Sequence, residues 1–305
     1  MAAILENISP VFIVIALGFL SRRLGFLPDT FIGSANRLVY FVAIPILVYS
    51  EISRGSFSES FNIVQIADVF AALAMTAVVV LILARALALS PGGAATFAQA
   101  SFHSNLGYVG LAVVFYSLGT EGRAAASVLA GFIMLFQNFL AIGIYTFVAR
   151  EHRKLDMRTA GRFVGNPIIL ATLLGLGSSA AEIRLPGFVD RSFDIVAHMA
   201  LPLALLIIGG SLKTAPAKRI QLVAVTTVFK LIVLPLTGLL LFRASGLDVG
   251  ATLIGVILLS SPSATLSYVM ASEMGGKPDF AAAAVTTSTV LSLLSYTLWI
   301  SVIGG

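Results

Sequence analysis

The chain has 305 residues, of which 58% are hydrophobic and 11% charged, with a net charge of +5 and no cysteine. Soluble domains carry about 25% charged residues, so this composition excludes a water-soluble globular protein and predicts an integral membrane protein. Disulfides and cysteine-ligated metals are excluded, motifs for nucleotide binding or hydrolysis are absent, and the scattered basic residues form no nucleic-acid-binding face, so we expect no cofactor, metal or nucleic acid.

Ten apolar segments are candidates for membrane-spanning helices, which need about 20 mostly apolar residues each. In chain order they are 5–21, 34–53, 62–86, 95–118, 124–149, 163–181, 189–211, 217–242, 249–273 and 279–303. In the first, Glu6 precedes the apolar run and Arg22 and Arg23 follow it. This order is opposite to that of a signal peptide, so we expect an all-α integral membrane protein that retains its first helix.

The basic residues of the connecting loops predict the orientation in the cell (inner) membrane. If the N-terminus is outside, thirteen Lys and Arg residues lie on the inner side and five on the outer side. Cytoplasmic loops carry the excess of positive charge, so we expect both termini to lie outside. The basic segment 150–162 is the strongest marker of the inner side, and it also divides the chain into halves.

The two halves, 1–157 and 158–305, resemble each other. Aligned without gaps, they match Pro10 with Pro167, Gly18 with Gly175, Pro45 with Pro202 and Gly119 with Gly276, and helix falls on helix throughout. Five helices in each half are an odd number, so the second half enters the membrane from the opposite side. This pattern predicts two inverted five-helix repeats, which are typical of secondary transporters.

The fourth and ninth segments each contain a polar interruption in mid-membrane. Asn105 in the fourth, close to Gly107 and Gly110, aligns with Pro262 in the ninth. Proline breaks a helix because it lacks an N–H group and obstructs the carbonyl four residues earlier. Matched interruptions favour a binding site, although small residues also serve ordinary helix packing.

A helix that restarts in mid-membrane presents free N–H groups and a partial positive charge, which favour an anionic group. We therefore expect a small organic carboxylate to bind between the two interruptions. Gln137 and Asn138 are further polar groups at depth, which can equally form hydrogen bonds between helices, and Tyr108 can simply pack. The candidate substrate-binding residues are His103, Ser104, Asn105, Gly107, Tyr108, Gln137, Asn138, Ser261, Pro262 and Ser263.

Two charged residues lie inside predicted helices, Asp68 in the third and Lys230 in the eighth. Charges at such depth are costly and are usually functional or paired. We expect a charge pair or a role in coupling, although Asp68 can also lie at the membrane interface. If transport is coupled to protons, Asp68 or His103 must titrate.

The stretch Asn105–Gly110, the Ser261–Pro262 interruption and the continuation Ala271–Gly276 resemble the auxin efflux carrier family. That family includes plant auxin carriers and bacterial malonate and malate permease-like proteins, and it shares a fold with sodium–bile acid symporters. The resemblance implies a support domain of helices 1, 2, 6 and 7, and a transport domain of helices 3–5 and 8–10. It also implies that helices 4 and 9 are broken and cross, and that the protein is a homodimer. Plant members carry a proline at each break, whereas only Pro262 is present here.

The interruptions in mid-membrane predict a secondary transporter of a small organic anion. The family resemblance implies an auxin-like monocarboxylate or a malonate-like dicarboxylate, moved by elevator-type alternating access. One alternative is a membrane receptor or scaffold that does not transport, which would need no interruptions in mid-membrane. Another is an intramembrane hydrolase, for which His103 with a nearby serine is the one candidate pair, without a third member. We therefore expect no enzymatic activity.

Overall fold

A computed structural model describes residues 2–55, 61–118, 122–149, 167–212 and 220–304. Within these ranges the protein forms helices and no β-strand. The helices are α1 (Ala2–Arg23), α2 (Asp29–Arg54), α3 (Ile63–Ala86), α4 (Pro91–Phe102), α5 (Leu106–Ser117), α6 (Arg123–Val148), α7 (Pro167–Ala180), α8 (Gly187–Ser211), α9 (Ile220–Ala244), α10 (Val249–Leu259), α11 (Leu266–Glu273) and α12 (Pro278–Gly304). The basic segment 150–162 with His152, the glycine Gly119, and Lys213, Lys218 and Arg219 lie outside the described residues.

The prediction of an all-α membrane protein is confirmed. Six helices, α2, α3, α6, α8, α9 and α12, have the length and apolar composition needed to cross a membrane. The fourth and ninth predicted segments, 95–118 and 249–273, are each divided between two shorter helices. The arrangement of ten spans as inverted repeats stays a prediction.

The contacts between residues divide the chain into two compact units. Unit 1 consists of Met1–Ile63, Gly107–Phe132 and Gly165–Leu212. Unit 2 consists of Val64–Leu106, Ile133–Val164 and Lys213–Gly305. Unit 1 therefore groups α1, α2, α7 and α8 with nearly all of α5 and the first turns of α6.

Unit 1 is held together by close helix packing and by ion pairs at the helix ends. A side chain at Gly18 of α1 would collide with the Leu206 carbonyl of α8, so the two backbones approach as closely as small residues allow. At the end of α2, the Arg54 guanidinium contacts Asp190 at 2.6 Å and Asp194 at 2.7 Å, both in α8. These contacts fix α1 and α2 against α8.

In unit 2, a proline in α9 changes the local helix geometry next to a buried lysine. Pro235 cannot donate to the carbonyl of Leu231, and the residues before it, Phe229–Val233, form a π-helical turn. Two side chains of α12 replace the missing donor, because Ser295 Oγ and Trp299 Nε1 bind the Leu231 oxygen at 2.7 and 2.9 Å. The π-helical turn contains Lys230, which is completely buried.

Candidate functional site at two crossed segments

Two helices of unit 2 end abruptly and give way to extended chain. The helix α4 ends at Phe102 and is separated from Leu106, the first residue of α5, by three residues. The helix α10 ends at Leu259, and α11 begins at Leu266. Pro262 lies in the second gap and explains that interruption, since it has no N–H group to continue a helix. The first gap has no proline, and its extended backbone is held by tertiary hydrogen bonds.

The two extended segments cross and pair with each other. Asn105 N–H donates to the carbonyl of Pro262 at 2.8 Å, and Ala264 N–H donates to the carbonyl of His103 at 2.8 Å. Backbone groups away from water need such partners. The crossing therefore satisfies four backbone groups that the interrupted helices leave without helical hydrogen bonds.

The residues at the centre of the crossing, Ser104 and Ser263, form an antiparallel bridge, and neighbouring helices bind three of their outward backbone groups. The Gln137 side chain of α6 accepts from Ser104 N–H at 3.0 Å and donates to the Ser104 carbonyl at 3.1 Å. Ser263 N–H donates to Ser288 Oγ of α12 at 3.0 Å. Gln137 thus braces the crossing from a neighbouring helix. Of the two roles that the sequence allowed, substrate binding and hydrogen bonding between helices, this contact is the second. Asn138, its neighbour on α6, is also buried.

The hydroxyl groups of the second extended segment are engaged within the protein. Ser263 Oγ donates to the Ala100 carbonyl at 2.6 Å. Ser261 Oγ donates to the Ile257 carbonyl at 3.4 Å and lies 3.1 Å from the Tyr296 hydroxyl, which donates to it. A hydroxyl has a single proton to donate. Ser261 and Ser263, which the sequence suggested as donors to a ligand, therefore use that proton elsewhere in this structure.

The first extended segment, in contrast, has buried donors without partners. Neither Asn105 Nδ2 nor Ser104 Oγ forms a hydrogen bond, and the two residues are only 4% and 2% exposed. Leaving a buried polar group unpaired costs about 1–3 kcal/mol, so each instance calls for an explanation. Together the two side chains offer three N–H and O–H protons, which is a set suited to an acceptor such as a carboxylate oxygen.

His103 packs inside unit 2 and is 1% exposed. Its Nδ1 lies 3.2 Å from Gln99 Nε2, one turn earlier in α4, and the same Gln99 nitrogen lies 2.9 Å from Met270 Sδ of α11. The ring therefore contacts Gln99 of α4, which itself contacts α11, while the His103 carbonyl belongs to the crossing.

Gly107 and Tyr108 lie on α5 and belong to unit 1. The Tyr108 hydroxyl donates to Asn36 Oδ1 of α2 at 2.7 Å. Sequence reasoning missed Asn36 because an amide near the polar start of an amphipathic helix is typical of a solvated face.

The structure does not pair Asp68 with Lys230. The Lys230 ammonium donates to the Leu259 carbonyl at 2.7 Å, at the end of α10, where the helix dipole favours a positive charge. Among the described residues, no ion pair joins Lys230 to Asp68, whose Oδ2 is buried without a hydrogen-bond partner. Lys230 thus contacts the residue immediately before the second extended segment, and Asp68 lies elsewhere in unit 2.

Replacement of Gln137 should destabilise the protein in proportion to the hydrogen bonds lost at Ser104. Gln137→Leu leaves both Ser104 backbone groups unpaired, at about 1–3 kcal/mol for each. Gln137→Glu keeps an acceptor for the N–H group and should lose less. The measurement is thermal unfolding of the purified protein in lipid, with Gln221→Leu on the exposed face of α9 as the matched control. Equal stability of Gln137→Leu and Gln221→Leu would show that the brace contributes nothing.

The sequence matches the family described as "Membrane transport protein" over residues 3–162 and 152–300. It is 26% identical over 310 residues to the "Putative malonate transporter" of Rhizobium meliloti (strain 1021), covering 97% of this chain and 95% of that protein. It is 25% identical over 301 residues to an "Uncharacterized transporter" of Methanothermobacter thermautotrophicus, covering 96% of each chain. The similarity thus extends over nearly the whole chain.

Proposed function

This chain belongs to the membrane transport protein family and is a multi-pass membrane transporter, and we propose that it moves a small organic carboxylate across the cell membrane by elevator-type alternating access. The resemblance to the auxin efflux carrier family is confirmed by the family match. Membership in a transport family favours transport over the receptor, scaffold and hydrolase alternatives.

One observation carries the choice of substrate: the unpartnered donors of Asn105 and Ser104 lie at the crossing in unit 2. They are neutral, so they donate hydrogen bonds to an anion without placing a fixed charge in direct contact with it. The chain continues from Asn105 directly into α5, whose first N–H groups are a further anion-binding element. The name of the Rhizobium meliloti relative, which refers to malonate, supports a carboxylate substrate.

The remaining parts of the proposal follow from the family and from the loop charges. In an elevator mechanism, a transport domain of α3–α6 and α9–α12 carries the crossing past a support domain of α1, α2, α7 and α8. The charge asymmetry of the loops supports an orientation with both termini outside. The family resemblance supports a homodimer.

This function is tested with the protein in proteoliposomes, by measuring the uptake and binding of carboxylic acids and of their neutral amides. We expect flux of small carboxylates and no binding of the matched amides. A hydrogen bond to a charged group contributes about 1.5–3 kcal/mol, so Asn105→Ala should weaken carboxylate binding by about 10-fold or more. Asn105→Asp, which keeps the shape but adds a negative charge, should weaken it further.

Ser272→Ala, at an exposed position of α11, serves as the control and should behave as the wild type. Equal affinity for an acid and its amide would remove the carboxylate from the proposal. An Asn105→Ala protein that folds and binds carboxylates normally would remove the site at Asn105.

A further inference from the structure

The half-helix α5 is attached to α2 by a part-buried polar contact inside unit 1, between a buried tyrosine and an exposed asparagine. The Tyr108 hydroxyl donates to Asn36 Oδ1 at 2.7 Å, across 72 positions of sequence, and the tyrosine is only 7% exposed. Tyr108 lies in the π-helical turn Leu106–Gly110, which starts directly after Asn105. The contact thus joins α2 to the turn that follows the proposed substrate residue in the chain.

Two other contacts attach the same part of the chain within unit 1. Arg123, at the start of α6, lies 3.9 Å from the Glu51 carboxylate of α2. About two turns further along α6, Gly131 packs directly on the Thr172 side chain of α7. The half-helix α5 and the start of α6 are therefore docked on α2 and α7 at three separate points.

We propose that Asn36 is a positioning residue, and that its hydrogen bond with Tyr108 is a latch that holds α5 docked on α2 in one of the two access states. The inference rests on the proposed alternating access, in which α5 and α6 move with the transport domain while α2 and α7 stay with the support domain. A contact between a moving and a static helix is made in one state and broken in the other. It therefore biases the equilibrium between the states.

The strength of the latch follows from its chemistry. A neutral hydrogen bond changes an equilibrium by about two- to twelve-fold. That is enough to adjust the populations of two states and too little to prevent their exchange. Removing either partner should therefore raise the undocked fraction by this factor without unfolding the protein.

The undocked fraction is measurable with one thiol, because the wild-type chain contains no cysteine. Thr172 is 2% exposed under Gly131, so a Thr172→Cys thiol reacts only when α6 leaves α7. The rate of its alkylation by N-ethylmaleimide in proteoliposomes reports undocking. In this background, Tyr108→Phe and Asn36→Leu should each accelerate alkylation by about two- to twelve-fold.

Three comparisons separate the latch from a general loosening of the structure. The double variant Tyr108→Phe/Asn36→Leu should react no faster than the faster single variant, because both remove the same bond. Asn36→Asp keeps an acceptor and should restore slow alkylation. Tyr116→Phe, at an exposed tyrosine of the same helix, should change nothing.

Unchanged alkylation in Tyr108→Phe and Asn36→Leu overturns the latch, as do strictly additive effects of the two. These results are distinct from failure of the proposed substrate site. If Asn105→Ala binds carboxylates normally while the latch variants react faster, the latch stands and the site at Asn105 falls. If flux depends on Asn105 while alkylation does not change, the site stands and the latch falls.

Discussion

Oxidation of a Gly131→Cys/Thr172→Cys variant should arrest carboxylate transport completely, and reduction should restore it. A Cβ atom at Gly131 would lie 2.8 Å from the Cβ atom of Thr172. A disulfide needs a separation of about 3.5–4.5 Å between these atoms, so a small outward shift brings the two sulfurs into bonding geometry. In the proposed elevator, α6 moves and α7 stays. A covalent link between them therefore blocks the cycle. The measurement is uptake into proteoliposomes before oxidation, after oxidation and after reduction.

The chain offers a control of the same geometry between two helices of the proposed support domain. A Cβ atom at Gly175 of α7 would lie 2.9 Å from the Cβ atom of Ile52 of α2. Oxidation of Gly175→Cys/Ile52→Cys should form a disulfide equally well and leave uptake unchanged. Full uptake by the oxidised Gly131→Cys/Thr172→Cys protein would show that α6 does not leave α7 during transport. That outcome would reject the elevator while leaving transport itself in place.

The sequence was informative about the helices and their interruptions, because both depend on local chemistry. Apolar composition identified the membrane segments, and Pro262 located the second interruption through the loss of one N–H group. The first interruption was placed around Asn105 by the polar residues and glycines near it and by its alignment with Pro262. The structure shows why no proline is needed there: Gln137 binds the backbone of Ser104. That donor and acceptor come from another helix and are invisible in the local sequence.

The partners of individual polar side chains were not predictable in the same way. The sequence treated Ser104, Ser261 and Ser263 alike, whereas the structure engages the last two with carbonyl groups and leaves Ser104 Oγ unpartnered. The choice depends on which carbonyl groups the neighbouring helices bring within reach. Lys230 illustrates the same limit, since its partner depends on how α9 is rotated about its axis and where α10 ends. Its partner is a backbone oxygen, a group that a search for opposite charges does not consider.

Replacement of Lys230 by methionine should impair transport strongly while leaving the protein folded. The ammonium is completely buried and donates to the Leu259 carbonyl at 2.7 Å. Burial of a charge is costly, and an apolar side chain of similar length is often tolerated or even stabilising in its place. The Leu259 oxygen loses one donor, at about 1–3 kcal/mol, which opposes the gain from removing the charge. We therefore expect little net change in the thermal stability of Lys230→Met.

The loss of function has a different cause, which is the positive potential that Lys230 adds beside the crossing. At an effective dielectric constant of about 20, two unit charges about 4 Å apart interact by about 4 kcal/mol, and this attraction falls in proportion as their separation grows. Loss of even about 1.4 kcal/mol of attraction weakens anion binding about 10-fold. Uptake and binding of carboxylates by Lys230→Met should fall by this order. Lys277→Met, at an exposed lysine, should change binding less than about threefold, because surface charges are screened by solvent.

Lys230→Met, combined with Asp68→Asn, also tests whether Lys230 and Asp68 act together. Since no ion pair joins them in this structure, the effects of Lys230→Met and Asp68→Asn on stability should add to within about 0.5 kcal/mol. A double variant that is clearly more stable than the sum predicts would show that the two charges meet in another state of the transport cycle. A folded Lys230→Met protein that binds and transports carboxylates normally would contradict the electrostatic role. In that case, the buried ammonium would serve only to hold the end of α10 through its hydrogen bond to the Leu259 carbonyl.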